Sequence, residues 1–197
     1  VRNEIIAFCD QLLDVASFED YGPNGLQVPG ADQVSSLATG VSANLELLEA
    51  AVGSGAELVL THHGLLWGSE VSPLSVPMAS RLRALLCANA SLAAYHLPLD
   101  AHPDIGNNAL LRDALGLEPD PRPFGAAKGA NIGVIGRATE GLSIAELERR
   151  LADVVGRDPH AAEVDLVGGV VEHRAHRHHL EGLGLLGADL PQIDQEQ

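Results

Sequence analysis

The sequence predicts an α/β fold in which βαβ units build mixed or parallel sheets covered by helices. Apolar residues make up 46% of the 197 residues, whereas Phe, Trp and Tyr contribute only 3%. The core must therefore come mainly from Leu, Val, Ile and Ala, as is typical of helix-covered sheets. Extended and helical patterns also alternate along the chain. We expect two α/β sub-domains, at residues 1–120 and 121–197.

The elements of the first part follow from hydrophobic spacing. Val1, Ile5, Phe8 and Leu12 recur at helical steps and predict an opening amphipathic helix. Turn-forming residues 21–25 then separate this helix from an extended run at 26–28. The later pattern predicts strands at 34–41, 57–60 and 92–95 and helices at 45–52, 78–86 and 108–115. This succession is that of βαβ units.

The second part is predicted to begin after a proline-rich stretch. Glu118–Pro123 contains three prolines and is interpreted as a linker or an exposed crossing. A strand is expected at 131–137. Ser143 and Glu146 form a capping box that opens a helix, and Leu142 and Leu147 can form its hydrophobic staple. Beyond residue 158 the pattern weakens.

Charge and cysteine content exclude several classes of function. The net charge of −15 disfavours binding to nucleic acid or to anionic lipid, and no cluster of basic residues reverses it locally. No segment approaches the roughly 18 consecutive apolar residues of a membrane span, so no membrane association is expected. Cys9 and Cys87 lack metal-site spacing and are interpreted as buried reduced thiols, which favours a cytoplasmic setting.

The strongest chemical signals follow two apolar strands. His62 and His63 come where the first strand is predicted to turn, and His96 and Asp100 follow the next. Because the carboxyl ends of parallel strands line the functional crevice, these side chains can converge. Imidazole and carboxylate donors suit Zn, Mn, Fe, Co or Ni. If two ions lie about 3.5–4 Å apart, Asp100 can bridge them beside a hydrolytic nucleophile.

Structural roles are the alternative for the same residues. A histidine pair after a strand is commonly a hydrogen-bonded structural feature. The segment around His96 can equally be a simple turn, in which Pro98 stiffens the loop and Asp100 caps the next helix.

Three segments together carry a family resemblance. Asp20–Val28, Leu60–Trp67 and His96–Pro103, the last continued by Gly106–Asn108, resemble motifs of the Nif-three-like, YbgI-type family of dinuclear metal proteins. Members of that family are often named GTP cyclohydrolase 1 type 2 homologues. The resemblance is strong over residues 1–115, fair to 155 and poor afterwards.

The resemblance implies a Nif-three-like fold and two divalent metal ions per chain. It makes His62 and His63 ligands of different ions and Asp100 a further ligand, whereas His96 is either a pocket-lining residue or a ligand. It also implies self-association as a toroidal homohexamer with the metal sites facing an internal cavity.

The family's late His-x-x-x-Glu ligand motif has no clean counterpart in this chain. One alignment leaves the final segment without the pair, and another makes His178 and Glu181 a contracted version, one residue short. The chain is also shorter than the family between about 158 and 164. Further on, the spacing of His173, His176 and His179 predicts that they share one face if their segment is helical. Such a face fits either a metal site or a solvated helix.

Two functions are carried forward from these observations. The first is a metal-dependent hydrolase of a small nucleotide-like or heterocyclic compound, with His96 as the proton-transferring residue. The second is a non-catalytic metal-binding or regulatory assembly, which the incomplete late motif favours. A metal-free protein would require both motif matches to be coincidental.

Overall fold

The computed structural model describes residues 1–68, 73–138, 141–156 and 169–172. Within these ranges the helices are α1 (Arg2–Leu12), α2 (Leu45–Gly53), α3 (Val76–Cys87), α4 (Leu97–Ala101), α5 (Asn107–Ala114) and α6 (Ile144–Val155), with a 3-10 helix at Val15–Ser17. The strands are β1 (Gly25–Val28), β2 (Leu37–Ser42), β3 (Leu58–His63), β4 (Ser91–Ala94), β5 (Glu118–Ala127), β6 (Ala130–Arg137) and β7 (Gly169–Glu172). None of these helices is long and apolar enough to span a bilayer.

The first sheet has the strand order β1-β4-β3-β2. Strands β2, β3 and β4 are parallel and β1 is antiparallel to β4, so the predicted mixed α/β architecture is confirmed. Thr61 near the end of β3 pairs with Ala94 at the end of β4. The residues that follow these two strands are therefore neighbours at one edge of the sheet, as the sequence predicts.

The central strand β3 is buried on both of its faces. Successive strand residues point to opposite faces, and Leu58 and Val59 of β3 both have no exposed surface. Val59 belongs to a core cluster with Leu48 of α2 and Leu85 of α3. Leu58 belongs to a second cluster with Ile6 of α1. This two-sided burial explains why the strand reads as an uninterrupted apolar run.

Strand β3 continues further than the sequence predicts. The expected turn after Leu60 is absent, because pairing with β2 extends through Gly40 with Thr61 and Ser42 with His63. His62 and His63 therefore belong to the strand itself. Their rings are nevertheless close to each other, with centroids 4.5 Å apart.

The two cysteines follow the prediction only in part. Cys9 is half-buried and packs against the cluster that contains Ile6 and Leu58. Cys87, at the end of α3, is exposed. The prediction of a buried thiol is therefore wrong for Cys87, because this residue lies on the face of α3 that is turned away from the sheet.

The second sheet has the order β5-β6-β7, with β5 antiparallel and β7 parallel to β6. The interpretation of Glu118–Pro123 as a linker is wrong, because these residues open β5. Their prolines occupy alternate positions in β5, which pairs with β6 alone among the strands that the structure describes. An edge strand can accommodate a missing N–H group on its unpaired side. The pairing is interrupted between Asp120 and Phe124.

The start of α6 follows the predicted capping box in part. Ser143 Oγ accepts a hydrogen bond of 3.2 Å from the Glu146 amide, and the helix begins at Ile144. The Glu146 carboxylate instead accepts hydrogen bonds from Arg149 and Arg150. Leu142 is buried and Leu147 packs against its cluster, consistent with the predicted staple.

Candidate metal centre

Three imidazoles converge at the edge of the first sheet. His62 and His63 end β3, and His96 directly precedes α4. The ring centroids are 4.5 Å apart for His62 and His63, 5.0 Å for His62 and His96, and 5.5 Å for His63 and His96. One ring nitrogen from each residue lies within 4.8 Å of the others. Such a group has the spacing needed to surround a metal ion.

His62 is oriented by a main-chain carbonyl. Its Nδ1 atom lies 3.0 Å from the Tyr95 oxygen. A carbonyl only accepts hydrogen bonds, so Nδ1 must carry a hydrogen, and in the neutral ring Nε2 then presents its lone pair. That Nε2 atom lies 3.6 Å from Asp100 Oδ2.

His96 is oriented by a buried carboxylate. Its Nδ1 atom lies 2.8 Å from Oδ1 of Asp20, whose side chain is 2% exposed. Asp20 also accepts hydrogen bonds from the amides of Tyr21 and Leu97 and from the Asn24 side chain. Burial raises the pKa of Asp20, but these hydrogen bonds outweigh it and the net pKa lies below the ordinary value. The ionised carboxylate therefore accepts from Nδ1 and leaves Nε2 for the cluster.

His63 has a hydroxyl partner. Its Nδ1 atom lies 3.0 Å from Oγ of Ser42, the residue of β2 that pairs with His63. Burial, together with the nearby His62 and His96, lowers the pKa of His63 below its usual range. A neutral imidazole is the form that binds metal ions.

Asp100 lies within α4 and is 6% exposed. Its Oδ1 atom accepts a hydrogen bond of 2.9 Å from Asn107 Nδ2, while Oδ2 faces His62. The alternative in which Asp100 caps the next helix is wrong, because Gly106 precedes α5 and that helix has no side-chain cap.

Aromatic residues form the rim of the site. Trp67 stands edge-on to His96 at 5.2 Å, and Tyr21 lies 6.2 Å from the same ring. A narrow slot opens at the site and is lined in part by Gly22, His62, Trp67 and His96.

The structure brings His62, His63, His96 and Asp100 together, whereas His178 and Glu181 lie outside the described residues. Asp20, Ser42 and Trp67 were not identified from the sequence. Asp20 and Trp67 lie within segments that carry the family resemblance, and this position could have marked them as site residues. Nothing in the sequence singles out Ser42.

The donor set fits a divalent metal ion. Each of the three imidazoles has Nδ1 engaged by a carbonyl, a carboxylate or a hydroxyl. Engagement of one nitrogen is the usual means of orienting the other toward a metal. The buried carboxylate of Asp100 adds an anionic oxygen beside them. These donors favour a borderline transition metal over Ca²⁺.

Comparison with known proteins gives a consistent result. The family model described as Duf34/NIF3 (NGG1p interacting factor 3) matches residues 1–173. A protein from Deinococcus radiodurans named GTP cyclohydrolase 1 type 2 homolog is 37% identical over 176 residues, covering 89% of this chain and 64% of its own length. A protein of the same name from Pseudomonas aeruginosa is 42% identical over 156 residues, covering 79% and 61%.

Solved structures share the fold. The protein YbgI superposes with a TM-score of 0.72 at 35% identity, over 80% of this chain and 61% of YbgI. A protein from Thermus thermophilus gives a TM-score of 0.68 at 32% identity, over 80% and 62%. The chain thus spans less than two thirds of the length of these relatives.

Proposed function

Because this chain belongs to the Duf34/NIF3 family, we propose that it binds divalent metal ions and hydrolyses a small nucleotide-like or heterocyclic compound. The observation that supports this most is the shared arrangement of the three imidazoles. In each one Nδ1 is held by a hydrogen-bond partner, and the rings converge within reach of one ion. A purely structural histidine cluster has no need for this common orientation.

His62, His63 and Asp100 are the proposed metal ligands. His62 and His63 come from one strand and Asp100 from the following helix, so the ligands are held by regular elements. A divalent ion bound there would supply Lewis-acid polarisation for hydrolysis. The family resemblance suggests two ions per chain, with His178 and Glu181 as candidates for further ligands.

His96 is the proposed proton-transferring residue. Asp20 holds the hydrogen at Nδ1, so Nε2 is available to take a proton from a reacting group and return it. Metal ligation through the same Nε2 atom would exclude this role. Replacement by Ala therefore separates the two: a proton-transferring His96 can be removed with the metal content unchanged, whereas a ligand cannot.

Self-association as a homohexamer is part of the same proposal. Leu12, Val41 and Ile105 are each more than 40% exposed and line an open cleft. A second copy that covers this cleft would bury their apolar surface. Light scattering coupled to size-exclusion chromatography measures the mass directly, and a monomer at micromolar concentration would contradict the assembly. The division into two parts at residue 120 also remains a proposal.

Elemental analysis of the purified chain tests the metal site. We expect about two ions per chain, as the family resemblance implies, and a loss of metal in His62→Ala and Asp100→Ala. His102→Ala is the matched control, because His102 lies outside the cluster and its Nδ1 accepts hydrogen bonds from nearby amides. Full metal content in His62→Ala or Asp100→Ala would contradict the ligand assignment.

A substrate screen of the metal-loaded chain tests the reaction. The relatives are named GTP cyclohydrolase 1 type 2 homolog, so GTP is the first compound to try. If bound metal raises the melting temperature but no hydrolysis is found across nucleotides and related heterocycles, the non-catalytic metal-binding assembly replaces the hydrolase.

A further inference from the structure

The chain contains a single lysine and a single tryptophan. Trp67 borders the histidine cluster, and Lys128 lies over Tyr21, a neighbour of that cluster. Trp67 contacts His96 edge-on. The ammonium of Lys128 lies 4.7 Å from the centre of the Tyr21 ring, which itself lies beside His96. In a chain with a net charge of −15, the one lysine therefore lies one aromatic ring away from the candidate site.

The two aromatic residues are held close to each other by the main chain. The Gly68 amide donates a hydrogen bond of 2.6 Å to the Tyr21 carbonyl. The following Gly22 packs directly on the Leu66 carbonyl, where a Cβ atom would collide. Tyr21 and Trp67 are 39% and 47% exposed, so ring surface remains open beside the cluster.

Lys128 comes from the other sheet. It occupies the turn between β5 and β6, where Lys128 and Gly129 both have positive φ, 48° and 82°. Two successive residues with positive φ favour Asn and Gly at such hairpin turns. Lysine is thus a costly choice for the turn, and its side chain extends over Tyr21 at the site.

We infer that Trp67, Tyr21 and Lys128 form the recognition surface for the substrate, which is a planar heteroaromatic ring that carries an anionic group. The aromatic side chains offer faces and edges for the ring, and the ammonium offers a point charge to a phosphate or carboxylate. This inference rests on the proposed function, which places the reacting centre at the histidine cluster. It adds the substrate's chemistry and assigns a role to residues outside the proposed ligand set.

Calorimetric titration of the full chain, freed of metal with a chelator, tests this surface. The probes are guanosine 5′-monophosphate and guanosine, which share the ring and differ in the phosphate. Wild type should prefer the monophosphate by about tenfold, the size expected for one charge-assisted contact. Lys128→Asn should abolish that preference, while its binding of guanosine stays unchanged.

Lys128→Asn is suited to this test because Asn is favoured in the turn, so the fold should be retained. Arg83→Gln, at an exposed residue of α3, removes the same charge away from the site and should behave as wild type. Trp67→Leu should weaken both probes by about tenfold, since one stacked or edge-on ring contact is lost.

Two results would overturn the inference: no preference for the monophosphate in wild type, or the same preference in Lys128→Asn as in Arg83→Gln. Because the titrations use metal-free protein, they are independent of the proposed hydrolysis. A chain that binds the monophosphate through Lys128 but shows no turnover would contradict only the proposed function.

Discussion

His96 Nδ1 and Asp20 Oδ1 are 2.8 Å apart, although the two residues are 76 positions apart in the chain. The Asp20 side chain is almost fully buried, and its second oxygen accepts hydrogen bonds from the Leu97 amide and from Asn24. Asn24 in turn accepts from the His96 amide. The segment that follows β4 is thus held to the loop before β1 at several points, and the imidazole orientation depends on that loop.

Asp20→Asn should disturb the tautomer of His96. In wild type both carboxylate oxygens of Asp20 accept hydrogen bonds, whereas Asn has one acceptor oxygen and one NH₂ donor. The hydrogen at His96 Nδ1 therefore loses its acceptor, or the loop that carries residue 20 shifts. Nitrogen-15 chemical shifts of the His96 ring in metal-free protein measure this. Wild type should show a protonated Nδ1, and the variant a mixture. Glu19→Gln is the control, and an unchanged His96 spectrum in Asp20→Asn would contradict the role.

Gly30→Ala should destabilise the fold by about 2 kcal/mol, a typical cost of forced overpacking. A Cβ atom at Gly30 would collide with the backbone of Asn89 and Ala90, which cannot move as a side chain can. Gly53→Ala is the matched control, since a Cβ there meets nothing within 4 Å and the residue ends α2. It should be neutral or stabilise by about 0.5–1 kcal/mol. Urea unfolding curves measure both, and equal midpoints would refute the prediction.

Asp120→Asn should reveal an acid-sensitive contribution to stability. Hydrogen bonds from Arg122 and then Arg137 hold the pKa of Asp120 well below its ordinary value of 3.8. A carboxylate with a lowered folded-state pKa stabilises the fold above its unfolded pKa, and the contribution is lost as the pH falls further. The melting temperature of wild type should therefore exceed that of the variant near neutral pH, with a difference that narrows below about pH 4. A difference that stays constant down to about pH 2.5 would argue against this pairing.

Thr61→Val should leave the stability unchanged or raise it by about 1 kcal/mol. Among the residues described here, Thr61 Oγ1 is the buried side-chain polar atom without a hydrogen-bond partner. Valine has nearly the same shape and needs no such partner. Chemical unfolding measures the difference, and a loss of more than 1 kcal/mol would mean that the hydroxyl is satisfied in solution, for example by water.

Local sequence patterns were sufficient for the elements of the first sheet. The uninterrupted apolar runs of β3 and β4 result from burial on both faces, and the spacing of Val1, Ile5, Phe8 and Leu12 is that of a helix. The alternating prolines of β5 predicted a linker, and that prediction is wrong because the segment is a strand. Each proline removes one backbone N–H donor. That loss weakens a strand only where the N–H group would have faced a neighbouring strand, and the sequence does not show which side of the strand is paired.

The sequence by itself determined which residues stand at the ends of β3 and β4, and hence that His62, His63, His96 and Asp100 would meet. Parallel strands make this a topological consequence of short-range pattern. Only the tertiary structure decided the orientation of each ring, through Tyr95, Ser42 and Asp20, and the arrival of Lys128 from a different sheet. These contacts join residues far apart in the chain, and a pattern read along one strand or helix carries no information about such pairings.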